Sequence, residues 1–143
     1  MMRGAPSSTE VLYGVRVAPV DPQPTTSASH AGKNVKLAGP VKRYAVDIMI
    51  RWTDVNLQLV AGGKRTGKVQ VELLAYDRDG HALNWEGETL AMILAPDMYA
   101  AIQHSGIPAH FQIDLPSAKN VFLETGVYDW ETGRAGTLEI PIE

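Results

Sequence analysis

From position 44 onward the chain switches between apolar and other residues one position at a time. Tyr44, Val46, Ile48 and Ile50 alternate with Ala45, Asp47 and Met49. This period of two is the mark of a strand with one buried face. Leu57 and Leu59 begin a shorter run that stops at Gly62-Gly63, and Val69, Val71, Leu73 and Ala75 then alternate against Gln70, Glu72 and Leu74. Asp77-Arg78-Asp79-Gly80 supplies residues that tolerate tight or left-handed backbone. A strand over residues 83–94 follows it, with Leu90, Met92 and Leu94 inward, so the two runs predict a hairpin. Phe111, Ile113 and Leu115 alternate next, then Val121, Leu123, Thr125 and Val127, then Leu138, Ile140 and Ile142. Residues 10–17 carry a weaker version, with Val11, Tyr13, Val15 and Val17 on one side, which predicts an edge strand.

One helix interrupts the strands. Pro96 suits the first helical position, Asp97 the positive N-terminal end and Gly106 the position past the end. Met98, Ala101 and Ile102 would share the buried face. About seven or eight short strands with turn residues between them predict an all-β, antiparallel β-sandwich of immunoglobulin or fibronectin III-like design. A small closed barrel is the alternative. Helical periodicity never lasts long enough to supply the crossovers of a parallel sheet.

Composition divides the chain. Residues 1–17 form an N-terminal segment with the edge strand. In residues 18–40, Pro19, Pro22, Pro24, Thr25, Thr26, Ser27 and Ser29 crowd together and predict a loop or linker. Residues 41–143 form the sandwich domain. The total of 143 residues is a single-domain length, and with no cysteine a disulfide frame or thiolate metal site is excluded. A net charge of −3, from 13 basic and 16 acidic residues, lacks the basic excess of a nucleic-acid partner. No apolar run reaches the ~20 residues of a membrane-spanning helix. Residues 1–10 lack the apolar core of a signal peptide.

Catalytic and cofactor motifs are incomplete. Gly62-Gly63-Lys64-Arg65-Thr66-Gly67-Lys68 has the spacing of a phosphate loop, but Val69 stands where the magnesium-binding hydroxyl belongs, and the motif opens a strand. Asp77 and Asp79 alternate as in a calcium loop, yet its closing ligand would fall at Gly87 or Glu88, inside the next strand. His30, His81, His104 and His110 show no metal spacing, although His104 and His110 flank one turn. Ser105 lacks the surrounding glycines of a nucleophile elbow. The expectation is therefore no catalytic residue, no cofactor and no metal. The residues that invite a contact are aromatic ones near loops: Trp130 at the last hairpin tip, Trp85 after the Asp-Gly turn, and Asp129 and Glu131 beside Trp130. Trp52 is expected to cover an end of the sandwich.

Several segments share their order with a known family. They are Tyr44-Ala45-Val46-Asp47, the run from Val71 to Gly80, Leu94-Ala95-Pro96-Asp97-Met98-Tyr99, Gly106-Ile107-Pro108, Ile113-Asp114-Leu115-Pro116, and Gly126-Val127-Tyr128-Asp129 with Thr132 to Pro141. On these, residues 43–143 resemble the C-terminal region of the von Willebrand factor A-related protein family abundant in acidobacteria. The resemblance implies an accessory module following an A-type domain, in an extracytoplasmic protein, secreted or attached to the cell envelope. The Asp-x-Ser-x-Ser metal motif of the A domain is absent, so none of its adhesion chemistry passes to a residue here. Two functions follow as expectations. One is a non-enzymatic interaction module that contacts a protein partner through loops or a sheet edge. The other is a carbohydrate- or peptide-binding module centred on the tryptophans.

Overall fold

The computed structural model describes residues 10–20, 31–117 and 120–142. The alternating runs form strands, all paired antiparallel, in two sheets packed face to face. Strands β1 (Tyr13–Pro19), β2 (Val41–Ile50) and β6 (Ile107–Pro116) make the smaller sheet, in the order β1-β2-β6. The larger sheet holds β3 (Gln58–Leu59), β4 (Arg65–Asp77), β5 (Ala82–Leu94), β7 (Val121–Asp129) and β8 (Ala135–Ile142). β5 runs along one side of β4 from Arg65 to Tyr76. The other side is shared end to end: β3 pairs with Arg65 and Thr66, and β7 with residues 69–77. β8 then pairs with β7, so the order is β5-β4-β7-β8.

The core is what the alternation predicts. Val46, Ile48 and Ile50 from the smaller sheet meet Val69, Val71, Leu73, Leu123 and Val127 from the larger, each essentially without solvent contact. Such burial is the main favourable term in the fold. The hairpin after β4 closes on Asp77, whose N–H donates to the His81 carbonyl (3.0 Å) and whose carbonyl accepts from Gly80 N–H (3.0 Å). Gly80 takes φ +85°, which glycine adopts without strain.

Two elements differ from expectation. Helix α1 (Pro96–Ser105) has the predicted bounds and the predicted glycine stop, but buries only part of the predicted face. Ile102 is buried and Tyr99 packs beside it, edge-on to Trp52 at 5.8 Å. Met98 (51 % exposed) and Ala101 stay at the surface. The helix is short and anchored at both ends by strands, so its rotation is set by where β5 ends and β6 begins rather than by its own periodicity.

The second difference lies in residues 18–40. β1 continues through Ala18 and Pro19, and Pro19 is tolerated because β1 is an edge strand. Residues 31–37 are tied down. Ala31 and Asp114 of β6 exchange two bonds, Asp114 N–H to the Ala31 carbonyl and Ala31 N–H to Oδ2 (each 2.9 Å). Lys33 N–H donates to the Trp85 carbonyl on β5 (2.8 Å). Residues 21–30 of the predicted loop lie outside the described residues.

Candidate functional site

The four residues expected to make contacts do not form one site. Asp129 is fully buried, and its carboxylate accepts from Thr132 Oγ1 (2.7 Å) and Asn56 N–H (3.1 Å). Asp129 therefore closes its own hairpin and is not available to a partner; a carboxylate placed where backbone donors converge serves the turn first. Glu131 is exposed at the hairpin tip. Trp130, half exposed, lies back on the sheet, with Lys68 Nζ 4.8 Å from the ring centroid and Tyr128 edge-on at 5.9 Å. Trp85, 39 % exposed, sits opposite Leu74 on β4, whereas Trp130 N–H reaches the Lys68 carbonyl. Positions 68 and 74 point to the same outer face but are separated by roughly 20 Å of strand. A single aromatic platform joining Trp85 and Trp130 is excluded by that distance.

The other sequence candidates resolve into local structure. Residues 62–68 pass from a short 3-10 turn straight into β4, without the helix a phosphate loop needs. Asp77 accepts from the N–H groups of Asp79 and His81 (each 2.9 Å) and touches the His81 ring (3.2 Å). These bonds, the His81 backbone bond foremost, hold the Asp77 carboxyl below its usual range. Asp77, Asp79 and His81 are the described side chains close enough together to share an ion, and the turn accounts for the arrangement without one. His110 pairs with Asp47 (2.7 Å). Ser105 Oγ donates to main-chain carbonyls of its own helix end. Among the described residues, no helix is long and apolar enough to cross a membrane.

A different feature has the form of a binding site. A cleft of about 570 Å³ lies between β5, α1 and the start of β6. Its apolar lining includes Leu90, Met92, Met98, Ala101, Ile102 and Ile107. Met98 and Ala101 are two of the three helix residues predicted for the core, so the cleft is apolar surface that the fold leaves unfilled.

The upper wall of the cleft is an open strand edge. In an antiparallel strand, alternate residues direct both N–H and C=O to the same side. The Trp85 carbonyl turns away from β4 to receive Lys33 N–H. Gly87, Thr89, Ala91 and Ile93 share that parity, so their main-chain groups also point away from β4. Gly87 is engaged, its N–H by Glu86 Oε1 (3.0 Å) and its carbonyl by Lys33 Nζ (3.3 Å). Beyond it, among the described residues, the β5 edge has no ladder partner. The opposite wall starts at Pro108, which has no N–H to offer. Glu88, exposed, stands at the mouth.

No family model matches this chain, and neither does any curated protein or solved structure.

Proposed function

We propose that the chain is a non-catalytic interaction module that takes up an extended polypeptide segment along the β5 edge. The unpaired edge of Thr89, Ala91 and Ile93 above an apolar cleft carries this reading. Exposed ladder groups bind a strand through its main chain, and side chains at every second position can then enter a pocket. At the other end of the same edge, Lys33 N–H already donates to the Trp85 carbonyl. An occupant of the cleft would continue that line with apolar side chains toward Met92, Met98 and Ile102.

The strand order supports a fibronectin III or immunoglobulin relation. With β1, β2 and β6 as strands A, B and E, and β5, β4, β7 and β8 as C′, C, F and G, the two sheets have the order of such domains. The family resemblance of residues 43–143 supports an accessory position in a larger exported protein. An encoding gene without an A-type domain would count against that placement.

The experiment is selection of a displayed random-peptide library on the whole chain, repeated on Ala91→Pro and Met98→Asp. Proline removes an amide that points away from β4, so β5 should keep its pairing with β4. The expected outcome is enrichment of sequences with alternating apolar residues that bind neither variant, while both variants keep the wild-type Tm. N-methylation of alternate amides in a selected peptide should abolish its binding. Peptides that bind Ala91→Pro and Met98→Asp as well as wild type would overturn the proposal.

A further inference from the structure

The cleft under the β5 edge has a charge as well as a shape. Register sets Glu88 opposite Val71, Leu90 opposite Val69 and Met92 opposite Gly67, and Val69 and Val71 face the core. Glu88, Leu90, Met92 and Leu94 therefore turn to the cleft side of β5, and all four line it. Leu90, Met92 and Leu94 give this row an apolar end, shared with Met98 and Ile102, and Glu88 gives it an acidic one. Among the described residues that line the cleft, Glu88 alone is charged. It is exposed, and it makes no ion pair among the described residues. Lys33 is engaged next to it but not with it: Nζ bonds the Gly87 carbonyl (3.3 Å) and lies 3.9 Å from Glu86. Ile107 and Pro108 of β6 bring no charge to the opposite wall.

The edge also fixes how an added strand is seated. Its outward ladder groups belong to Thr89, Ala91 and Ile93. Residues facing Glu88, Leu90 and Met92 therefore take non-hydrogen-bonded positions, where opposed side chains of an antiparallel pair come closest. Every strand pair among the described residues is antiparallel, the arrangement with the better-aligned ladder. Pairing stops at Gly87, whose N–H and carbonyl are held by Glu86 and Lys33, and at Leu94, where the chain turns into α1. Between those stops an antiparallel segment sets one residue against Met92, the next but one against Leu90, and the next but one again against Glu88. Apolar side chains suit the first two places. At the third, an acidic side chain stands against a like charge, and a basic one meets an opposite charge at short range.

We propose that the β5 edge accepts an antiparallel segment of the form apolar-x-apolar-x-basic, read from its N-terminus, with a lysine or arginine set against Glu88. This rests on the reading of that edge as a strand-addition site and adds which strand is accepted. The apolar pair supplies burial in the cleft, and the basic residue supplies register and direction. Sliding the segment by two residues, or reversing it, takes the cation away from Glu88, so those seatings lose the opposite-charge contact.

The test is a displayed random-peptide selection on the whole chain, run on wild type, Glu88→Lys and Glu88→Gln, with synthetic peptides from the wild-type pool titrated afterwards. Enriched wild-type sequences should carry lysine or arginine two positions after the second apolar residue, and Glu88→Lys should select an acidic residue there. A wild-type peptide should lose about two- to fivefold in affinity on Glu88→Gln, the scale of an exposed ion pair, and the gap should narrow at high salt. Peptides that are lost on Ala91→Pro yet show no charge preference at that position overturn this inference and leave the strand-addition site standing. The same holds if the basic preference persists on Glu88→Lys, or falls on the N-terminal side of the apolar pair. A pool with no sequence that depends on Ala91 overturns both readings. Should Glu88→Lys fail to fold, Glu88→Gln decides: the basic preference should vanish there, and its persistence overturns the inference.

Discussion

Leu73 is 1 % exposed and belongs to the shared core of both sheets. Leu73→Ala should lower the unfolding free energy by about 2–5 kcal/mol in denaturant titration, the range for a cavity left in a packed interior. Tyr13 tests a polar contact. Its hydroxyl meets the Thr125 carbonyl (3.0 Å) and Oγ1 (2.8 Å), and burial raises its pKa from 10.0 to about 12. The folded state therefore holds the phenol proton more tightly than the unfolded chain. Its contribution is intact below pH 10 and is lost as pH rises toward 12. Burial also raises Tyr44, so phenolate absorbance should show more than one late-ionising tyrosine, with the component near pH 12 absent in Tyr13→Phe.

Asp54 has the opposite sign. Arg51 bonds both its oxygens (2.8 Å each), and Leu12 N–H adds a third bond (2.9 Å), which together hold the carboxyl below 3.8. That contribution is present above pH 3.8 and fades as pH falls through the lowered value. The Tm gap between wild type and Asp54→Asn should be widest near neutrality and close in acid. At this scale the core residues were legible from alternation. Asp129 and Asp54 were not, because beside a near partner (Thr132, Arg51) each is also held by backbone far away in sequence, Asn56 N–H and Leu12 N–H.

Among the elements, residues 31–37 act as a strap across the sandwich, and Asn84 is its buckle. The fully buried Asn84 amide donates to the carbonyls of Ala31 (2.9 Å) and Asp114 (2.8 Å), and its Oδ1 accepts from Asn34 (3.1 Å) and Trp85 (2.9 Å). Gly32, at φ +112°, leaves room for that amide, since a Cβ there would overlap it. Arg43 adds two bonds to Asp114 (2.8 and 3.1 Å). Asn84→Ala leaves buried backbone groups unpaired. Hydrogen exchange at Lys33 and Asn34 should then lose protection while β4 keeps its own, and uniform loss across the sheet would mean the strap is not a separable unit. Composition alone reads this segment as a linker, because it has no period and its partners lie 50 or more positions ahead. The helix repeats the lesson: its bounds follow from Pro96 and Gly106, while its buried face depends on the strands that hold it.

For the molecule as a whole, β4 is the longest of the strands paired on both sides, with β5 on one side and β3 and β7 on the other. Its amides should exchange only through global unfolding, whereas Thr89, Ala91 and Ile93 on the free edge of β5 should exchange fastest within the sheet. Slow exchange at those three would mean the edge is already occupied. The sandwich was legible because strand alternation and turn residues agree along the chain. Which edge stays open was not, since that depends on strand order.

The strap's position in the chain has a further consequence during synthesis. Ala31 leaves the ribosome 83 positions before the Asp114 that holds it. Until β6 emerges, the strap has its β5 partners but lacks the Asp114 anchor, which leaves it and the β5 margin less firmly closed. Newly made chains crowded on one messenger would be most exposed to mispairing in that interval, and the anchor's arrival would end it.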